Sequence, residues 1–288
     1  MSNQTALITE PQTRLVVDPT RRVTLRTFGH RHGPVTRLVS PSGTGELIKP
    51  FVFLDRGEVR YTGRPLFGIH PHSGIATLTV VLGGTMTYED TTGQKGTVSA
   101  GGLEWMKAGG GVWHDGGVLE GEPLRLFQLW IALEADSELS RAESHYITPE
   151  SVQQDGPVRV VLGEYGRARS VIPNSPNINY FHVQLKDGQR WRYSPPPTHT
   201  VAWLAVDRGG LSAPEPVREG ELVVFDQARG AIDLKAVGDA SFVFGSAPRH
   251  PYPLVLGDYS VHTSSRTLEQ GEAEIARIGQ RLHDAGRL

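Results

Sequence analysis

Glycine and proline break this chain into short pieces. The 288 residues include 34 glycines and 20 prolines, spread along the sequence and not gathered into one tract. Glycine reaches positive φ at no steric cost and proline presets φ, so both mark tight turns. Between them lie runs rich in β-branched and aromatic residues, the types that suit a pleated surface. These runs are Arg22–Arg26, Phe51–Leu54, Ala76–Leu82, Thr85–Tyr88 and Leu124–Leu133. Gly83-Gly84, Thr92-Gly93, Ala100-Gly101-Gly102 and Gly109-Gly110-Gly111 separate them. Short strands at turn spacing predict a sandwich or barrel, not βαβ units.

A polar stretch, Glu134–Gln154, interrupts the pattern, and its Ala135–Ser140 segment reads as a short surface helix or loop. A second series of strands follows: Val158–Leu162, Tyr180–Leu185, Thr200–Val206, Glu221–Phe225, Ala231–Leu234 and Ser241–Phe244, with Gly188, Gly209-Gly210, Gly220, Gly230 and Gly238 at the bends. The halves match in strand content, so the expectation is an all-β chain of two barrel domains, residues 1–140 and 141–288. Thr267–His283 is the one helix expected. Thr267 and Gln270 have capping-box spacing, Leu268, Ile275, Ile278 and Leu282 share a face, and Gly286 ends it. Its expected place is against the outside of a barrel.

Composition removes several classes of function. Cysteine is absent, so disulfides and thiolate ligands are excluded and any metal must use His, Asp or Glu. The formal net charge is −2 with no dense Lys/Arg run, so nucleic-acid binding is not expected. Residues 1–20 lack the basic flank and apolar stretch of a signal peptide. No apolar run approaches a membrane span. A cytoplasmic location without membrane association is therefore expected.

Chemistry concentrates in Phe67-Gly68-Ile69-His70-Pro71-His72-Ser73-Gly74. On a strand, His70 and His72 project from one face. Neutral imidazole is a good ligand for Fe, Zn, Cu or Ni. A third histidine, His114, follows Gly109-Gly110-Gly111-Val112-Trp113, placed to enter the next strand after a hairpin. Such a set can assemble three facing ligands in a small barrel. On the residues alone, two surface histidines and a structural one fit as well. His30 and His32 form another His-x-His in a Gly-rich turn with no obvious third ligand, which reads as a surface loop. His182 and His199 are not at ligand spacing. No phosphate loop or Gly-x-Ser-x-Gly nucleophile elbow is present.

Several segments together resemble the pirin family of cupins. They are Pro50-Phe51-Val52-Phe53-Leu54-Asp55, His70-Pro71-His72-Ser73-Gly74, Gly102-Leu103-Glu104-Trp105-Met106-Lys107-Ala108-Gly109-Gly110-Gly111, His114, Leu126-Phe127-Gln128-Leu129-Trp130, and Gly245-Ser246-Ala247-Pro248 through Gly257-Asp258-Tyr259 to Val261-His262-Thr263. The resemblance spans roughly residues 20 to 270. It implies two cupin-type (jelly-roll) barrels, a metal site in the first and none in the second. It also implies His70, His72 and His114 as ligands of a divalent metal, Fe(II) first, with Zn, Mn, Ni or Cu as alternatives. Leu78, Val80 and Leu82, continuing the period-two pattern from His72, are expected to line the pocket.

The chain departs from the family at the carboxylates. Pirins place a ligand Glu two residues after the last His, where this chain has Gly116. Many cupins place one four residues after the second His, where it has Ala76. Asp115, next to His114, should face the opposite way. Glu104 stands where pirins usually have Gln. It reads first as a solvated strand residue, and otherwise as a candidate catalytic base or fourth ligand. Two functions therefore stand side by side. One is a metal-dependent dioxygenase acting on a flavonol such as quercetin or another small aromatic. The other is a non-enzymatic regulatory protein with a weakened or empty metal site and a protein partner.

Overall fold

The computed structural model describes residues 20–63, 68–173 and 176–288, and Phe67 and the region before Thr20 lie outside them. The protein is built almost wholly from antiparallel strands in three main sheets. A seven-stranded sheet runs in the order Glu143–Ile147, Leu103–Lys107, Ile75–Gly83, Leu124–Ala132, Phe51–Val59, Val35–Val39 and His30–His32. Facing it, a four-stranded sheet takes His70–His72, Val112–Val118, Thr85–Asp90 and Lys95–Ser99 in that order. These two sheets enclose the first barrel. A nine-stranded sheet forms the second, centred on the long strands Val201–Ala213 and Ile232–Ala247.

The barrels meet through sheet faces. Leu54, Leu78, Val80, Trp105 and Phe127 from the seven-stranded sheet pack with Leu162, Tyr180 and Trp203 from the nine-stranded one. The Trp203 indole sits edge-on to Phe51 at 5.3 Å between ring centroids. The other face of the seven-stranded sheet looks into the first barrel, where Val59, Val81 and Leu124 meet Met86 and Val98 of the four-stranded sheet. One sheet is thus buried on both faces, which explains the near-continuous apolar runs at 75–82 and 124–133. The second barrel is filled by its own aromatics, with Phe181, Trp191, Tyr193, Phe242 and Phe244 in contact.

Three segments cross the expected division near residue 140, and one of them, the edge strand Glu143–Ile147, pairs with Leu103–Lys107 of the first barrel. The first strand, Val23–Thr27, pairs with Leu222–Phe225 of the second barrel. The C-terminal helix, Ser265–Asp284, packs on the first, with Ile275 accepting the Trp113 indole N–H at 2.8 Å. The helix begins two residues before the expected start, capped by Ser264, whose hydroxyl accepts the Thr267 amide. Ile275, Ile278 and Leu282 are buried as expected, whereas Leu268 is only partly so.

Three local expectations are corrected. Ala231–Leu234 and Ser241–Phe244 belong to one strand, Ile232–Ala247, in which Gly238 (φ +73°) bends the backbone without ending it. Gly209 (φ +76°) likewise sits at a register shift within Val201–Ala213. Ala135–Leu139 is a series of turns and not a surface element throughout, because Glu138 is completely buried. His30–His32 is an exposed edge strand, not a loop.

Two predictions follow from this packing. A Cβ on Gly245 would lie 2.6 Å from the Trp203 indole. Gly245→Ala should therefore cost about 1–3 kcal/mol by overpacking, read as a lower urea midpoint at constant m-value; an unchanged midpoint would show that the indole can move aside. Burial, with Arg159 and Arg125 nearby, lowers the His182 pKa to about 4, and burial beside Arg21 does the same for His199. The unfolded chain takes these protons near pH 6.5 while the folded one resists them. Their share of stability is full above about 6.5 and declines as pH falls toward 4. His182→Gln should flatten that decline in urea midpoints measured across this window, and an identical slope would contradict the assignment.

Candidate metal centre

His70, His72 and His114 come together inside the first barrel. Antiparallel pairing sets Val112 against His72 and His114 against His70. One ring nitrogen from each of the three lies within 4.8 Å of the others. His72 and His114 are buried and His70 is partly exposed. The Nε2 atoms of His70 and His114 are 3.1 Å apart.

Backbone carbonyls fix how these rings are protonated. His70 Nδ1 is 2.8 Å from the Gly68 carbonyl and His72 Nδ1 is 3.0 Å from the Tyr259 carbonyl. A carbonyl can only accept, so each Nδ1 carries the proton and each Nε2 presents a lone pair. His114 turns its Nδ1 toward Glu104 Oε1, 3.5 Å away. Its Nε2 lies within hydrogen-bond distance of that of His70, a position that takes either a shared proton or a metal ion. A divalent cation held by the three imidazole nitrogens would replace that proton. The donor set therefore fits a divalent metal. Burial, reinforced by His114, lowers the His70 pKa to about 4 and holds His72 well below the ordinary imidazole value, so both rings are neutral at physiological pH.

The aromatic surroundings hold His72 in place. Trp130 meets the His72 ring edge-on at 4.8 Å and stacks on Phe53 at 4.0 Å. The Arg37 guanidinium covers the far face of Phe53 at 3.8 Å and pairs with Asp55.

Glu104 is not solvated. It is 3% exposed and points into the barrel, accepting the Thr79 hydroxyl at Oε2 over 2.6 Å. Leu103 and Trp105 on either side face the core between barrels, so the residue between them must face the site. Its carboxylate addresses the outer nitrogen of His114, and Glu104 is not part of the three-residue ligand cluster.

The expected pocket wall is corrected by the same parity. Gly74, at φ +74°, breaks the strand after His72, and Ile75–Gly83 starts a new alternation. Leu78 and Val80 consequently join the inter-barrel core, with Leu82 packed against it. Ala76 does too, so a carboxylate there would point away from the site. Thr79 and Val81 point inward instead. Thr77, on their face, is fully buried with its hydroxyl unpartnered.

Gly116 shares a strand face with His114 and lines the cavity beside it. A Cβ built there meets nothing nearer than the Thr87 carbonyl at 3.8 Å. The cavity, lined also by Met86, Tyr88, Leu126 and Gln128, has a volume of ≈ 40 Å³. His30 and His32 lie on the exposed edge. His182 bonds Ser241, and His199 bonds Ser246 and Asn177, so both serve the second barrel.

Comparison with known proteins agrees with this architecture. The Pirin family profile matches residues 33–131. A Pseudomonas aeruginosa protein described as a candidate quercetin 2,3-dioxygenase is 30% identical over 243 residues, which cover 78% of this chain and 84% of the relative. A pirin-like protein of Caulobacter vibrioides is 31% identical, covering 72% and 79%. The crystal structure of a quercetin 2,3-dioxygenase from Acinetobacter baumannii superposes with a TM-score of 0.79 at 22% identity, covering 90% of this chain and 98% of that one. A bacterial pirin of Escherichia coli in complex with nickel(II) gives 0.63 at 21% identity, covering 77% and 95%. With two cupin barrels, a histidine cluster in the first and relatives matched over most of their length, the chain belongs to the pirin family.

Proposed function

We propose that His70, His72 and His114 hold a divalent metal, Fe(II) in the first instance, and that the chain is a pirin-type oxidoreductase of the quercetin 2,3-dioxygenase kind with a weakened centre. The observation that carries this reading is the convergence of three imidazoles, two of which, His70 and His72, turn their Nδ1 protons outward to backbone carbonyls. The metal would gather substrate oxygen and dioxygen and polarise them, the task such ions perform in oxygenases. His70 is the most exposed of the three. Glu104 keeps His114 in the ligating tautomer. Thr79 holds Glu104 in turn. The substrate class is a small aromatic of flavonol type, as the names of the relatives suggest.

One observation favours the alternative, a non-enzymatic regulatory protein that binds a protein partner. The cavity of ≈ 40 Å³ is far below the roughly 300–1,000 Å³ typical of pockets for drug-sized ligands. A three-ring flavonol does not fit it in this conformation. The missing carboxylate at Gly116 points the same way. General-base assistance is worth about 10²- to 10⁴-fold, and with Gly116 in place of a ligand carboxylate that role falls to Glu104, which lines the cavity.

The test is flavonol turnover, followed by oxygen uptake with added Fe(II), Mn(II), Ni(II) or Cu(II). The parent should bind metal and turn over quercetin slowly or not at all. His72→Ala should lose the metal. Gly116→Glu has room for its side chain and should tighten metal binding by about tenfold or more, some 1.4 kcal/mol, and raise turnover. Rapid turnover by the parent would show that the carboxylate is dispensable here. A parent and a Gly116→Glu variant that both bind metal but leave quercetin untouched would favour the regulatory protein.

A further inference from the structure

A second cluster of buried polar groups lies behind the histidines. Glu138, His262 and Ser73 are each at most 2% exposed. The Glu138 carboxylate accepts the Thr263 amide and the Thr263 hydroxyl, each at 2.7 Å, and stands 3.2 Å from His262 Nδ1. His262 Nε2 is 2.9 Å from the Ser73 hydroxyl, which is also 2.9 Å from that of Ser260. The order carboxylate, imidazole, hydroxyl resembles a hydrolase triad. With all three members buried, however, the serine has no route to a substrate. Its neighbours suggest another role. Ser73 directly follows His72, and Ser260 directly follows Tyr259, whose carbonyl holds His72 Nδ1.

We propose that Glu138, His262 and Ser73 form a clamp that sets the Tyr259 carbonyl against His72 and so holds His72 in its metal-binding tautomer. They are positioning residues and touch no ligand. The clamp rests on the reading of His70, His72 and His114 as a metal centre, but its effect on His72 is independent of metal. A carboxylate only accepts, so Glu138 places the His262 proton on Nδ1 and leaves Nε2 as an acceptor facing Ser73. The segment Tyr259–Val261 lies along His72–Gly74 through a single parallel bridge, Ser73 to Ser260, and one amide bond from Val261 to the Ser73 carbonyl at 3.3 Å. So short a ladder specifies register weakly, and a slip of one residue would turn the Tyr259 carbonyl away. The side-chain network supplies the missing specification. Close packing seals it: a Cβ on Gly271 of the C-terminal helix would lie 2.5 Å from both His262 Nε2 and Ser73 Oγ.

Partners that orient a ligating histidine typically account for 10–100-fold in metal affinity. The experiment uses the full chain in two steps. Long-range ¹H–¹⁵N spectra of the metal-free protein report the His72 tautomer, and titration with Ni(II) then gives the Kd. Wild type should show His72 protonated at Nδ1. Glu138→Gln and Ser73→Ala should each mix the tautomers and weaken Ni(II) by roughly 10-fold or more. Leu282→Ala, which loosens the helix away from the network, should lower the melting temperature without changing either readout. If Glu138→Gln and Ser73→Ala only lower the melting temperature, with the tautomer intact and the Kd within about twofold of wild type, the clamp is overturned. Should one variant fail to fold, the other decides. Wild type that takes up no Ni(II) while the variants still mix the tautomers would end the metal reading and leave the clamp standing.

Discussion

Burial of the seven-stranded sheet on both faces is the constraint on which the rest depends. A strand sends alternate side chains to opposite faces, so residues in the middle of this sheet face either the inter-barrel core or the interior of the first barrel. Leu103 and Trp105 take one side and Glu104 the other; Ala76, Leu78 and Val80 take one side and Thr79 and Val81 the other. No face is left for solvent over the middle of the sheet. An acidic residue there must be paired or hydrogen-bonded, and Glu104 meets this with Thr79 on one oxygen and His114 near the other. Packing between the barrels thus decides which side chains reach the histidines.

The histidines themselves are set by a second rule, the one-way character of carbonyl acceptors. Gly68 and Tyr259 each face an Nδ1. Because these protons are pinned on the outside, the inner nitrogens of His70 and His72 are lone pairs, and burial discourages their protonation. Burying three imidazoles together carries a desolvation cost in the metal-free state. Such a cost persists only when surrounding structure over-determines the geometry, and here Trp130, Phe53 and Arg37 on one flank and the Tyr259–Thr263 segment on the other supply that structure.

Most strands and the histidine triple could be read from the sequence because they rest on local patterns. Period two within His70-Pro71-His72, and Gly-rich turns between apolar runs, need no knowledge of the rest of the chain. What depends on distant residues could not be read. The facing of Leu78 turns on a single positive φ at Gly74 and on a second sheet covering the outside. Glu104 looks solvated until both its neighbours are known to be core. Glu138 sits in a polar stretch that reads as surface, and its partner His262 lies 124 residues away. The alternation Leu103-Glu104-Trp105-Met106 carried a usable signal: two large apolar residues flanking an acid on a strand require the acid to face something else, and Met106 beyond it argues that this is not water. Glycine was ambiguous for a physical reason, since the positive φ that closes a turn also makes a bulge within a long strand, as at Gly209 and Gly238.

The C-terminal half bears on the candidate centre although the second barrel is filled by its own side chains. Its interior is occupied by Phe181, Trp191, Tyr193, Phe242 and Phe244 at ring separations near 5–6 Å. Its histidines are engaged with serine and asparagine side chains. What the C-terminal half gives the centre lies outside that barrel: the Tyr259 carbonyl, the Ser260 hydroxyl, His262 and a helix against Trp113. In exchange the first strand of the chain completes the sheet of the second barrel. Each half therefore finishes the other, and the geometry of the candidate centre in the first barrel depends on residues of the C-terminal half. A chain cut near residue 140 would keep all three candidate ligands and lose the carbonyl that tells His72 which nitrogen to present.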